Sequence, residues 1–381
     1  MSAEETRSKT AEAGANNPVR SMTYLEFGLL VLTVASTLFY VTLQSIVLVY
    51  RYLYPIFILT MLKFIWGEYT SELRGGTRTC PNSVSMKGKT VVLTGGTTGT
   101  GRASAIEMAS RGARIIMGCR NLKRAGEVVE MVKRRSCNND IVIHYLDLSS
   151  FKSVREFADK IRKEENGIDV LINNASVSDF ESHDTHRIPH TTVDGLTHSF
   201  QVNYWSHFLL SNLLLTLLVK RPSSRIVNVT ARLHTKPTNL NFTAGNGKLR
   251  YPRLTGYPLG KLGNVLFTKE LALRLDGSGV KVYAVDPGLT FWRGRKFTDW
   301  KAKMLLPLLW LIMSSEDAAA QTIVYCATEK RLKNGEVYFD CRPSKYVSHL
   351  VDDDVIREKL WDVSLEVTQL NHRKNGKTIT S

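Results

Sequence analysis

The sequence predicts an α/β fold: a doubly wound, predominantly parallel sheet of about seven strands with helices on both faces, behind an N-terminal membrane segment. Three observations carry this reading. Short apolar runs such as Val91–Leu93 and Val170–Asn173 alternate with longer helical stretches. A glycine-rich run, T-G-G-T-T-G-T-G, stands between the first strand and the first helix of that pattern. Phe27 to Tyr50 is a run of 24 residues without a charge.

A chain of 381 residues that is 43% hydrophobic can build one large core with additions at its ends. The net charge of +16, from 51 Lys and Arg against 35 Asp and Glu, fits an anionic partner such as a phosphorylated cofactor or a membrane surface. The basic residues are scattered, without zinc-finger spacing or aromatics interleaved with Arg runs, so no nucleic-acid partner is expected. Cys80, Cys119, Cys137, Cys326 and Cys341 form no CxxC pair, which argues for a reducing compartment and no disulfide framework. Glycosylation-type triplets begin at Asn174, Asn228 and Asn241, and the first two fall at core strand ends where no glycan fits. His183, His186 and His190 share a loop without a nearby Cys, and no metal site is expected there.

Residues 1–20 lack apolar periodicity and read as a flexible tail. The uncharged run that follows is long enough for a helix to cross a hydrocarbon core of about 30 Å. A second apolar stretch, Tyr52 to Leu62, contains Pro55 and is too short to span alone. Two topologies stay open: a single span, and a hairpin bent near Arg51 and Pro55. Residues 1–26 hold three basic and four acidic residues, whereas 51–89 hold six basic and two acidic, which places the following domain in the cytosol. The ten apolar residues Met304 to Met313 cannot span, and read as a core helix or a membrane-dipping lid.

Strand, glycine turn and helix, in that order from Lys89 to Arg111, form a phosphate cradle: backbone approaches a pyrophosphate closely and the new helix offers free N–H groups. The TGxxxGxG spacing at Thr94–Gly101 is that of the short-chain dehydrogenases/reductases, which this chain resembles. The second strand, Arg114–Met117, leads to Arg120, and no Asp or Glu occurs between Glu107 and Glu127. A basic residue at that place meets the 2′-phosphate of NADP(H), with Arg102 as an expected helper. A third strand ends at Asp147 and Leu148, and a fourth runs into Asn173, Asn174, Ala175 and Ser176, where the family pattern is NNAG and Ser176 departs from it.

A helix from Leu196 to Val219 carries Asn203, and a fifth strand runs from Arg225 to Thr230. Tyr257 and Lys261 then stand four residues apart on one helix face, where a cation favours the ionised form of a phenol. The resemblance covers about 86–370, and D-P-G at Asp286, S-S-E-D-A-A-A-Q-T near Ser314, Y-F-D-C at Tyr338 and L-W-D-V-S at Leu360 point to retinol dehydrogenases. It implies a Rossmann-type fold, Tyr257 as acid/base, Lys261 as its tuner and ribose binder, and Asn203 as structural and relay residue. For the cofactor it implies Gly95, Thr97, Gly99, Gly101, Arg120, Asp147, Leu148, Asn174, Ala175, Pro287 and Gly288, besides Tyr257 and Lys261. Ala231 stands where the family has its catalytic serine. Thr230 should point to the opposite face. Pro258 disfavours a helical Tyr257, although a first turn tolerates proline.

The expected organisation is a tail at 1–20, an anchor at 21–66, a linker at 67–85, an NADP(H)-binding domain at 86–343 and a C-terminal extension at 344–381. The expected activity is oxidoreduction of a lipophilic alcohol or carbonyl such as a retinoid. The alternative is a catalytically impaired, NADP(H)-binding membrane protein that senses or scaffolds. The expected setting is the endoplasmic reticulum membrane or a lipid droplet, with membrane lipid as a partner and a homo-oligomer compatible with the sequence.

Overall fold

The computed structural model describes residues 24–65, 80, 83–178, 191–237, 256–290 and 313–370. The chain divides into two units, Met1–Phe64 and Ile65–Ser381.

Among the described residues the first unit consists of the helix α1, Tyr24–Ile65, short of its last residue. Its 42 residues extend about 63 Å, twice the hydrocarbon thickness of a bilayer. Its apolar side chains, among them Phe39, Leu48 and Phe57, are exposed. The hydroxyls of Thr33, Thr37, Thr42 and Thr60 donate to carbonyls four residues earlier, so these groups find their acceptors within the helix. It runs unbroken through Arg51 and Pro55, so the hairpin bend does not occur there.

The second unit is an α/β sandwich. Its elements run β1 Thr90–Thr94, α2 Gly99–Ser110, β2 Arg114–Cys119, α3 Leu122–Ser136, β3 Ile141–Tyr145, α4 Phe151–Glu164 and β4 Val170–Asn173. Then α5, His198–Phe200, passes through a π turn, Gln201–Trp205, into α6, Ser206–Val219. After β5 Arg225–Val229 and a 3-10 turn at Arg232–Thr235 come α7 Gly256–Arg274, β6 Lys281–Asp286, α8 Glu316–Thr328, β7 Val337–Phe339, β8 Arg342–Pro343 and α9 Asp354–Val367.

The strand order is β3-β2-β1-β4-β5-β6-β7-β8, parallel throughout except for the antiparallel β7–β8 pair. The sheet thus has eight strands where seven were expected. Asp340 and Cys341, with φ of 50° and 55°, form the tight two-residue turn that folds β8 back onto β7.

Alternation along the strands builds two cores. Val91, Leu93, Ile115 and Met117 face α2, α3 and α8, while Val92, Ile116, Leu171 and Ile226 face α4, α6 and α7. Burying each such side chain contributes roughly 1.5–3 kcal/mol. In the C-terminal extension, Trp361 of α9 lies 5.0 Å from Phe208 and 6.1 Å from Phe267, centroid to centroid, and Tyr204 Oη meets Ser364 Oγ at 2.8 Å. Part of the positive charge closes helices: Lys133, Arg134 and Arg135 end α3, and Arg162 and Lys163 end α4, where cations favour the macrodipole.

Asp169 accepts from Lys89 Nζ at 2.9 Å and from the backbone N–H of Thr90 at 3.0 Å, tying β4 to β1. The chain winds outward in both directions from this pair, which opens a crevice at their carboxyl ends, where ligands bind in such sheets.

Candidate active site

The turn after β1 is shaped by proximity to β4. Gly95 has φ +71°, and a Cβ there would stand 2.7 Å from Cα of Ala175, so the position admits only glycine. The Thr94 hydroxyl accepts from the backbone N–H groups of Asn174 and Ala175, each at 3.0 Å. The Asn174 amide donates to the carbonyls of Thr94 at 3.0 Å and Gly95 at 3.2 Å. Thr98, which caps α2, makes no side-chain cap hydrogen bond, so the first-turn N–H groups face the crevice without that competitor.

The π turn shifts the helical register at Asn203. Its amide clamps the loop after β4, accepting from Val177 N at 2.8 Å and donating to Val177 O at 2.9 Å. His207 Nδ1 lies 3.2 Å from Asn203 O, which only accepts, so Nδ1 carries the proton and Nε2 accepts from the Thr94 hydroxyl at 2.9 Å. Burial holds the His207 pKa down to about 4, keeping the ring neutral. Thr94 and His207 were not anticipated; the only signal in the sequence was the spacing of four between Asn203 and His207.

Helix α7 brings Tyr257 and Lys261 against this turn. A Cβ on Gly260 would meet Cβ of Asn203 at 3.0 Å, so glycine between the two residues lets the helices close. Pro258 sits in the first turn of α7 and does not break it, since that turn has no intrahelical acceptor for the missing N–H. Lys261 is 2% exposed, its Nζ donates to Val229 O at 3.0 Å, and it lies 5.5 Å from the centroid of the Tyr257 ring. Desolvation draws its pKa down to about 7, opposed by the charge of Asp286. Thr230 donates its hydroxyl to Lys261 O at 2.8 Å, and Asn264 adds a bond to Val229 O at 3.2 Å. Ala231 is extended, with φ −158° and ψ 156°, and its carbonyl accepts from His234 Nδ1 at 2.7 Å.

These elements border an open cavity of about 650 Å³. Gly95, Gly99, Asn174, Ala175, Ser176, Ala231, Tyr257, Lys261, Pro287 and Gly288 line it, as do Thr98, Thr100, Arg232, Leu289 and Met313. Thr97, Gly101, Arg120, Asp147, Leu148 and Asn203 stand outside that lining. Arg120 is exposed just beyond β2, and Asp147 caps its own loop through Ser149. Arg102 is not the expected helper: its guanidinium pairs with Glu316 at 2.6 Å, because α2 packs on the start of α8. Asn228 is buried, accepting from Asn173 at 2.7 Å and donating to Thr268 at 2.9 Å. The cysteines are free thiols. His183, His186, His190, Asn241 and 304–312 lie outside the described residues.

A glycine turn opening α2 and a Tyr–Lys pair line one cavity, the arrangement of a dinucleotide-dependent oxidoreductase. The short chain dehydrogenase family model matches residues 89–293, and the chain belongs to that family, whose members use a nicotinamide cofactor and act on CH–OH groups. It is 38% identical to retinol dehydrogenase 13 of Mus musculus over 299 residues, covering 76% of this chain and 87% of the mouse protein. With retinol dehydrogenase 13 of Homo sapiens it shares 36% over 328 residues, covering 84% and 96%. Among solved structures, an uncharacterized protein from Mycobacterium Paratuberculosis aligns with a TM-score of 0.58 at 28% identity, over 77% of this chain and 97% of that one. The Pseudomonas aeruginosa RhlG/NADP complex, at 21% identity and TM-score 0.52 over 66% of this chain and 94% of that one, shares the fold. These likenesses favour an enzyme over the impaired binding protein.

Proposed function

We propose that this chain is a membrane-anchored, NADP(H)-dependent oxidoreductase that interconverts a lipophilic alcohol and its carbonyl compound, a retinoid being the substrate to test first. The observation that carries the proposal is the placement of Tyr257 and Lys261 on the wall of the cavity that Gly95, Thr98 and Gly99 also line. The retinoid class is supported by the names of the most similar relatives. NADP(H) is supported by Arg120, exposed beyond β2 with no carboxylate between Glu107 and Glu127. Membrane anchorage is supported by α1, and a cytosolic domain on the endoplasmic reticulum by the charge asymmetry across it.

When bound, the cofactor supplies or accepts the hydride. In reduction, Tyr257 donates its phenolic proton to the carbonyl oxygen, and the Lys261 ammonium stabilises the phenolate that remains. In oxidation the same phenolate takes the proton from the alcohol. Asn203 holds the loop after β4, and the Thr94–His207 pair holds the junction of the β1 turn with that loop, on the same cavity. Ala231 offers a methyl group where the family has a hydroxyl donor, and loss of one such donor slows turnover by roughly a hundred- to a thousandfold.

The test is NADPH consumption by the purified protein against a panel of lipophilic aldehydes and ketones that includes retinal. Turnover of at least one member is expected. Inactivity across the panel, despite NADPH binding, would replace this reading with the non-catalytic one.

A further inference from the structure

The C-terminal extension reaches the cavity wall through one stacked pair. Arg232, the first residue of the 3-10 turn after β5, lines the cavity between Ala231 and Leu233. Its guanidinium lies 3.9 Å from the centroid of the Tyr346 ring and 5.1 Å from that of Phe339. Its Nε donates to Asp286 Oδ2 at 3.3 Å. That carboxylate is 1% exposed and accepts the N–H of Gly288 on its other oxygen at 2.9 Å. Asp286 and Phe339 are register partners in β6 and β7. One guanidinium therefore joins the exit of β5, the exit of β6 and the chain after β8.

These contacts engage the charge of the group. Asp286 neutralises it, and the stack on aromatic faces leaves Arg232 as packing area in a wall shared with Leu233, Leu289 and Met313. Tyr346 is anchored in its turn. Ser344 donates its N–H to Val337 O at 2.7 Å, and its hydroxyl accepts from Tyr346 N and donates to Tyr346 O, each at 3.2 Å, while Val347 packs on the core. The Tyr346 residue is 42% exposed, so the ring backs Arg232 from the solvent side of the packing. An arginine without such backing regains rotamer freedom, and the wall it belongs to loosens with it.

We propose that Arg232 is a positioning residue for the substrate, braced by Tyr346, so that the C-terminal extension takes part in shaping the apolar wall on which a lipophilic substrate seats. This deepens the proposed oxidoreductase function and rests on it.

The test compares the unmodified protein with Tyr346→Ala, Tyr346→Phe, Arg232→Met and the double variant Arg232→Met with Tyr346→Ala. The readouts are steady-state NADPH oxidation with retinal, or with whichever lipophilic carbonyl compound is turned over, NADPH affinity and Tm. Tyr346→Ala should raise KM about threefold to tenfold, the size of one partly exposed cation–π contact, with kcat and NADPH affinity unchanged. Tyr346→Phe keeps the ring and should restore the parent KM. In the Arg232→Met background, Tyr346→Ala should add nothing, because the residue through which it acts is gone. A purely structural brace would lower Tm and leave KM alone. An unchanged KM in Tyr346→Ala, an equal rise in Tyr346→Phe, or a full further rise in the double variant overturns the proposal. Should Arg232→Met fail to fold, the two Tyr346 variants decide alone. If the unmodified protein turns over no carbonyl compound, the oxidoreductase reading is what fails, and retinol binding to the NADPH-loaded protein takes the place of KM. Weaker retinol binding in Tyr346→Ala that Tyr346→Phe restores then sustains the proposal, and equal or absent binding overturns it.

Discussion

The Thr230 hydroxyl donates to the backbone oxygen of Lys261 at 2.8 Å, so the hydroxyl that precedes Ala231, just past the end of β5, is engaged in holding α7. Thr230 lines the cavity as Ala231 does, but its hydroxyl proton is already committed to that carbonyl. Thr230 therefore does not replace a serine at 231. Ala231→Ser adds one hydroxyl to a position that lines the cavity, and activity should rise roughly tenfold to a thousandfold, read as single-turnover NADPH oxidation. An unchanged rate would mean that another group already serves the substrate oxygen.

Arg120 makes no hydrogen bond or ion pair among the described residues, so its charge is free to meet a phosphate. NADPH should bind more tightly than NADH, and Arg120→Asp should narrow or reverse that order. Fluorescence titration of both cofactors decides it, and equal affinities in the unmodified protein would contradict the assignment.

Burial draws the Lys261 pKa down to about 7 in the free protein, against the partial opposition of Asp286. Binding of an anionic cofactor favours the ammonium and raises that value. Protons are therefore taken up on binding, and affinity should weaken as pH rises above about 7, where the free protein has lost the proton that the complex holds. Calorimetry in buffers of different ionisation enthalpy should show uptake of a fraction of a proton near neutral pH. Lys261→Met should abolish it; uptake of the same size in that variant would assign the proton elsewhere.

Much of this was legible in the sequence, because period and spacing are local. Val91–Leu93, the glycine run and the first helix are contiguous, and Tyr257 and Lys261 are one turn apart, so no tertiary knowledge was needed to place them. What failed was what depends on packing. Arg102 looked poised for a phosphate, and only the docking of α8 on α2 shows it paired with Glu316. The turn at Asp340 and Cys341 lacks the Asn-Gly signature of its geometry, which hid β8. The π turn at Gln201–Trp205 reads as ordinary helix, since nothing in residue period marks an inserted register. The bond between Thr94 and His207 joins residues 113 apart, beyond any local rule.

The central claim is that Tyr257, tuned by Lys261, moves the proton in a hydride-transfer reaction. The most direct measurement is single-turnover oxidation of bound NADPH on mixing with retinal, or with whichever panel member the protein accepts, comparing the unmodified protein with Tyr257→Phe. The variant removes one oxygen from a partly buried position and should bind NADPH as before, which titration checks. The account predicts a rate lowered by at least about a hundredfold, the loss of a positioned acid. A Tyr257→Phe protein that consumes NADPH at the parent rate would contradict it.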